Sequence, residues 1–335
     1  MPHGSSYPVS RSSPRPARAL PSGGAAVAPG LRLLAAAVCF LFALGLTGLL
    51  FVWTDRGQLI DGLLLPRAER GGGYEQPGDL FGPATVVLRH FGRPSTLAAL
   101  LGGVLVVGLL GRRLLAGLTG VGLVLCAVVT AGAVKSALPR PDFAIEGSTT
   151  HNSFPSGHVA VATALVLAYL LVLPGWARRW SVVPGAAAVS VIGAATMIAG
   201  WHRFSDVLGG VLLSAALFCL AAAALTLRRG GDAPRPGAMP VAGRAWRAFA
   251  EGAVGLIVLG WVVRVLLPGP AAGLPWGPLV AISAAAVLTA LAVGVAVFLV
   301  ASVEFTGPVD RPQREAAHPG SMERLLATDS RTAGR

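Results

Sequence analysis

Uninterrupted apolar blocks, most of them about 20 residues long, constrain this chain more than any other feature. They run near Leu31–Trp53, Leu97–Leu110, Leu114–Val134, Val159–Leu173, Ser181–Ala199, Val207–Leu227, Gly252–Leu267 and Trp276–Ser302. A soluble helix or strand alternates apolar and polar residues with its own period, whereas a segment crossing roughly 30 Å of hydrocarbon must be apolar all round. With 54% hydrophobic and only 13% charged residues, and a mean hydropathy of +0.68, the chain is too apolar for a water-soluble globule. These blocks predict an all-α polytopic membrane helix bundle of about eight transmembrane helices.

The net charge of +12 is not accompanied by aromatic–basic interleaving or a nucleic-acid module, so a nucleic-acid partner is not expected. The arginines instead mark topology. Arg11, Arg15 and Arg18 precede the first block. Arg112/Arg113, Arg178/Arg179, the run from Arg228 to Arg247, and Arg311, Arg314, Arg324 and Arg331 fall on alternate sides. The positive-inside bias puts those sides in the cytoplasm, with both termini inside, in the plasma membrane. Expected segments are a disordered tail over 1–30, a core over 31–228, a cytoplasmic loop over 229–251, two further helices over 252–303 and a disordered tail over 304–335. The long outer connection from Thr54 to Thr96 is read as partly mobile, with an interfacial helix at Phe81–Phe91. Cys39, Cys126 and Cys219 lie within apolar blocks and are read as packing residues, with neither a disulfide framework nor a zinc site. An Arg-for-Lys bias and abundant Ala and Gly hint at a GC-rich bacterial genome.

Candidates for chemistry fall in two outer loops. In Pro155-Ser156-Gly157-His158, Ser156 and Gly157 at a helix mouth would offer backbone N–H groups and the positive end of the helix dipole to an anion, and His158 could pass a proton to a leaving oxygen. Alone, the tetrapeptide reads more readily as an N-cap followed by an interfacial histidine. His202 and Asp206 are spaced i, i+4, so on a helix the carboxylate would orient one imidazole nitrogen and leave the other to attack phosphorus. Alone, the pair reads as a loop histidine and a capping aspartate. Lys135 is the only lysine among 27 basic residues. It stands beside Arg140, which Pro139 and Pro141 hold extended, and the alternative is a lysine snorkelling at a helix end.

Taken together these segments resemble the type 2 phosphatidic acid phosphatase superfamily, membrane lipid phosphatases with Lys…Arg-Pro, Pro-Ser-Gly-His and Arg…His-x-x-x-Asp motifs. The second motif matches letter for letter and the third matches at His202 and Asp206, and the likeness spans roughly Leu97 to Leu227. Two departures stand out. Four residues separate Lys135 from Arg140-Pro141 where the family has six, which places Asp142 at the expected arginine. Ala195-Thr196 replaces the Ser-Arg that usually precedes the histidine, leaving Arg203 as a substitute cation.

The resemblance implies a six-helix lipid-phosphatase core. It implies that Lys135, Arg140 and the Ser156/Gly157 amides hold a phosphate, with Arg203 contributing. His202 would be the nucleophile, His158 the acid and then base, and Asp206 the orienter of His202. No metal or other cofactor is implied, and Asp142, Glu146 and Asp206 are too scattered to hold a metal. The implied partner is a lipid phosphate in the membrane, a polyprenyl phosphate or pyrophosphate or a phosphatidic-acid-like lipid, hydrolysed at the outer face. Rival readings are a phosphotransferase and a non-catalytic lipid-phosphate binder or transporter. The last two helices could dock a membrane partner or a second copy. His151 and Asn152 are read as solvated loop residues, Arg264 as snorkelling, and Trp201, Trp261 and Trp276 as interfacial belt residues.

Overall fold

The computed structural model describes residues 29–63, 80–145, 151–228, 283–289 and 291–295, all-helical apart from connections. Helix α1 (Pro29–Thr47) continues into a π-helical turn over Gly48–Val52, followed by α2 (Asp55–Leu63), α3 (Phe81–Phe91), α4 (Pro94–Leu110) and α5 (Leu114–Ala137). Then come α6 (Gly157–Val172), α7 (Gly175–Ile198) and α8 (Phe204–Arg228). Residues 283–289 and 291–295 are also helical and fall inside the eighth apolar block.

The first six blocks each coincide with a helix, and among the described residues four spans are long and apolar enough to cross a membrane: Gly30–Val52, Leu114–Ala137, Trp180–Ile198 and Phe204–Leu227. A fifth is obtained if α3 and α4 count as one span bent by 57°. That bend falls at Gly92-Arg93-Pro94, where Pro94 opens α4 and forces Arg93 into extended backbone (φ −65°, ψ 134°). Helix α6 is stopped at 16 residues between its Ser156 cap and Pro174, which caps α7. The expected seventh span, most of the eighth, the cytoplasmic loop, nearly all of the N-terminal tail and the whole C-terminal tail lie outside the described residues, as do Glu146, Arg264, Trp261 and Trp276.

Helix α6 is the axis of the bundle. Its sequence is apolar on every face, and twelve of its sixteen residues are buried, against α4, α5, α7 and α8. Helix α1 lies along α8, and α3 rests on α7. Outward faces carry Phe42, Leu110, Val129 and Leu118. Buried positions include Gln58, Asp61, Arg140, His202, Arg203, Ser205 and Asp206. Large apolar side chains outside and ionisable ones inside suit a lipid solvent, in which polar groups must find partners within the protein. This is a multi-pass membrane protein. Of the three cysteines only Cys219 is buried; Cys39 and Cys126 are exposed, so packing does not explain them.

Lipid supplies no hydrophobic drive between helices, so close approach and interhelical hydrogen bonds hold the bundle. Tyr169 donates to the Leu100 carbonyl (3.0 Å) and Ser214 to the Ala160 carbonyl (2.7 Å). At the end away from the paired histidines, Arg113 donates to the Val172 and Leu173 carbonyls, and Arg178 also to that of Leu173, satisfying the C-terminus of α6. At the other end α8 approaches the start of α6 through Gly210. A Cβ there would lie 2.7 Å from the Ser156 carbonyl oxygen and 3.0 Å from the Ala160 nitrogen, both backbone atoms that cannot step aside. Gly210→Ala is therefore expected to destabilise the protein by about 1–3 kcal/mol, read as a lower unfolding midpoint in detergent. An unchanged midpoint would show that the contact is not tight.

Candidate active site

The C-terminal end of α5 and the N-terminal ends of α6 and α8 meet at one end of the bundle, and all eight residues singled out in the sequence are found there. Lys135 occupies the last turn of α5. A methyl placed on Gly157 would lie 3.9 Å from its Nζ, which puts the ammonium at the first turn of α6. The rings of His158 and His202 are 6.4 Å apart between centroids, nearly edge to face, and Trp201 lies 5.7 Å from His158. Trp201, 40% exposed, thus has its ring beside that of His158.

The start of α6 departs in part from its expected role. The Ser156 hydroxyl accepts from the Val159 amide (3.4 Å) and so caps the helix. The Ser156 amide itself donates to the Asp206 carbonyl (2.8 Å), so it is not available to an anion. The N–H groups of Gly157 and His158, at the first two helical positions, have no carbonyl of their own helix to bond.

The turn that presents His202 is made by Gly200. Its φ of 71° is left-handed, and the Gly200 amide donates to Met197 O (3.0 Å) and the Trp201 amide to Thr196 O (3.0 Å). This paired pattern ends α7 and reverses the chain. Thr196, standing where the family carries an arginine, thus contributes a carbonyl to the turn and no cation.

His202 precedes α8 and is not on it, so the expected helical i, i+4 geometry is replaced by a loop residue facing a first-turn carboxylate. His202 Nδ1 lies 3.5 Å from Asp206 Oδ2, a charge contact too loose to count as a formed hydrogen bond. Asp206 Oδ2 also accepts from the Arg203 amide (2.9 Å) and the Ser153 hydroxyl (2.6 Å). Asp206 is therefore both of the things its spacing allowed, a helix cap and the carboxylate beside His202. Arg203 is buried, and its guanidinium reaches Ser153 Oγ at 3.4 Å, on the site side of the chain.

Arg140 is 4% exposed, and none of its three guanidinium nitrogens has a hydrogen-bond partner among the described residues. Burial lowers its pKa below the usual arginine value, and Arg203 lowers it further, while Asp61 and Asp206 act in the opposite sense. It remains a cation all the same. A buried cation with five unsatisfied donors is costly unless an anion completes it.

Sequence reasoning passed over four residues here. Asn152, read as solvated, is buried, and donates to Leu138 O (2.7 Å) and Lys135 O (3.5 Å) while accepting from the Phe154 amide (3.0 Å). It ties the end of α5 to the loop that starts α6. His151 is exposed, as read. Ser153 links Asp206 to Arg203. In the connection read as mobile, Gln58 and Asp61 are buried, and Asp61 accepts from both the amide (3.0 Å) and the hydroxyl of Ser205. A partner 144 residues away leaves no local mark in a sequence. Asp142 is exposed, and its carboxylate accepts from the Ala144 amide (2.9 Å).

Residues 113–229 match the model of the PAP2 superfamily, a stretch that runs from the turn before α5 through α8. No curated protein and no solved structure matches the chain.

The carboxyl of Asp61 is pushed up to about 7, first by burial and then by the Asp206 charge, against the pull of Ser205 and Arg203. An acid whose folded pKa lies above its unfolded value stabilises fully below the unfolded value, near 4, and loses that contribution as pH rises through the folded one. Raising the pH from 5 to 8 should thus lower the unfolding midpoint of the wild type more than that of Asp61→Asn, which carries no such proton. Parallel curves would show that Asp61 does not titrate there.

Proposed function

Residues 113–229 are a PAP2 superfamily domain, and from that premise we propose that the protein is a membrane lipid phosphate or pyrophosphate phosphatase working through a phosphohistidine. The observation that carries this reading is the buried Arg140 guanidinium, without a partner among the described residues, at the end of the bundle where His202, His158 and Asp206 converge. A binding site alone needs the cations. It does not need two facing imidazoles, one of them backed by a carboxylate.

In this mechanism Lys135 and Arg140 hold the phosphate from different directions, with the Gly157 amide at the positive end of α6 and Arg203 adding charge. His202, its Nδ1 toward Asp206, attacks phosphorus through Nε2 as the bond to the lipid oxygen breaks, and His158 gives that oxygen its proton. Water then attacks the phosphohistidine, losing its proton to His158, and free phosphate leaves with His202 restored. The 3.5 Å contact between His202 and Asp206 tightens once phosphate draws positive charge onto the imidazole. Fixed cations and N–H donors stabilise the equatorial oxygens, where most catalysis of phosphoryl transfer resides.

A lipid substrate is supported by the surroundings. An apolar cavity of about 260 Å³ between α1 and α5 is lined by Leu41, Leu44, Leu49, Val134 and Leu138. It ends at Asn152 and Phe154, beside the start of α6, and offers room for a hydrocarbon chain next to the phosphate site. The arginine distribution favours a site on the outer face of the plasma membrane. A polyprenyl or phosphatidic-acid-like lipid satisfies both conditions.

The test is phosphate release from a panel of lipid phosphates and pyrophosphates by the purified protein in detergent with chelator. Release should survive the chelator, fall at least about 10³-fold in His202→Ala and about 10²–10⁴-fold in His158→Ala. Arg140→Ala should raise KM. Headgroup transfer to an added alcohol without net hydrolysis would make the protein a transferase, and phosphate binding without turnover would make it a binder.

A further inference from the structure

The PAP2 domain does not contain the side chains that fix two of its own site elements. Those belong to the segment from Trp53 to Asp61, ahead of residue 113. Arg140 sits between two prolines, which have no N–H, so the backbone of residues 139 and 141 can be gripped only by the carbonyls. Both are gripped from the same segment. Trp53 Nε1 donates to Pro139 O (2.9 Å), and Gln58 Nε2 donates to Pro141 O (3.0 Å) while also bonding Val52 O (2.8 Å), which anchors it to the end of the first span.

One turn further along α2, Asp61 is fully buried and takes the amide and the hydroxyl of Ser205, itself fully buried. Ser205 is the second residue of α8, so its N–H is one that the helix cannot satisfy internally. The first turn of α8 is thus capped twice by carboxylates, locally by Asp206 on the Arg203 amide and remotely by Asp61 on the Ser205 amide. Both carboxylates lie at the positive end of the helix dipole. Movement of Ser205 would carry His202 and Asp206 with it.

We propose that Trp53, Gln58 and Asp61 are positioning residues of the phosphate site: Trp53 and Gln58 set the direction of Arg140, and Asp61 sets the turn bearing His202, Arg203 and Asp206. This rests on the phosphatase reading above. The two halves act on different quantities. Arg140 already holds the phosphate in the ground state, so its misplacement raises KM. The His202 turn serves the chemical step, so its misplacement lowers kcat.

The full chain in detergent, as wild type, Gln58→Leu, Asp61→Ala and Asp61→Asn, is assayed on the lipid phosphate that the wild type turns over best, and inorganic phosphate binding is measured in parallel. Gln58→Leu should raise KM and weaken inorganic phosphate binding about 10-fold with kcat held within about 3-fold. Asp61→Ala should lower kcat about 10²-fold, the scale of an ångström-sized misplacement. Asp61→Asn should recover most of that loss, because its amide oxygen still accepts the Ser205 N–H and its NH₂ donates to the Ser205 oxygen. Unchanged constants in Gln58→Leu, or a folded Asp61→Asn as impaired as Asp61→Ala, would overturn the proposal; should Asp61→Ala fail to fold, the other two variants decide. A wild type that hydrolyses nothing but binds inorganic phosphate would sink the phosphatase reading alone, with Gln58→Leu binding still deciding this one. A wild type that neither hydrolyses nor binds phosphate would overturn both.

Discussion

A charged group buried inside a bundle that faces lipid must be completed by something in the protein or by something it binds, because no water is at hand to do it. Arg140, Asp61, Arg203 and Asp206 are all buried at one end of this molecule, and the local architecture answers that cost. Asp206 is held by Ser153 and the Arg203 amide, and Asp61 by two bonds from Ser205. Arg140 has no such completion among the described residues. The asymmetry has chemical content: each carboxylate has at least one oxygen tied to the scaffold, whereas no guanidinium nitrogen of Arg140 is tied among the described residues, and in the proposed mechanism an anion from outside answers it.

The scaffold achieves this with helix ends. Three of the helix termini at this end are each finished by a different device: Ser156 as N-cap of α6, a left-handed glycine after α7, and paired carboxylates on α8. The devices are interlocked, since the Ser156 amide bonds the Asp206 carbonyl and Gly210 lets α8 lie against the same turn. Displacement of one helix end would therefore move the others. Such coupling suits a site whose reactive groups come from separate parts of the chain, and it costs the Ser156 amide its freedom to bind an anion.

What the sequence made legible follows from how local each signal is. Apolar blocks located six helices, because crossing a bilayer imposes a length and a composition on the segment itself. Of those six helices, four or five make spans among the described residues, because block length does not register the Pro94 break or the early stop of α6. Pro-Ser-Gly-His and His202/Asp206 were readable as motifs, and Arg203 could be named only as a neighbour of His202. The Schellman turn at Gly200 was also within reach of a local reading, as a glycine closing an apolar run two residues before a histidine. Gln58 and Asp61 were not, since an acidic residue in a polar connection is ordinary until a distant chain segment covers it.

The missing family arginine can now be weighed in charge. Thr196 holds its position in the turn but brings no cation, and Lys135, Arg140 and Arg203 are the basic residues left around the site. Arg203 is bound to Ser153, which is bound to Asp206, so part of its charge is committed within the protein. Asp61 adds a negative charge that acts on Arg140 and, being pushed up to about 7, is only partly present near neutrality. In the proposed mechanism an incoming phosphate meets a half-buried lysine, an arginine with no partner among the described residues, an arginine shared with Ser153, the Asp206 carboxylate and a carboxyl that is partly neutral. A fully ionised carboxyl in the same place would oppose an incoming anion more strongly. By holding back part of that charge, the burial of Asp61 on α2 would favour the anion that the proposed mechanism requires.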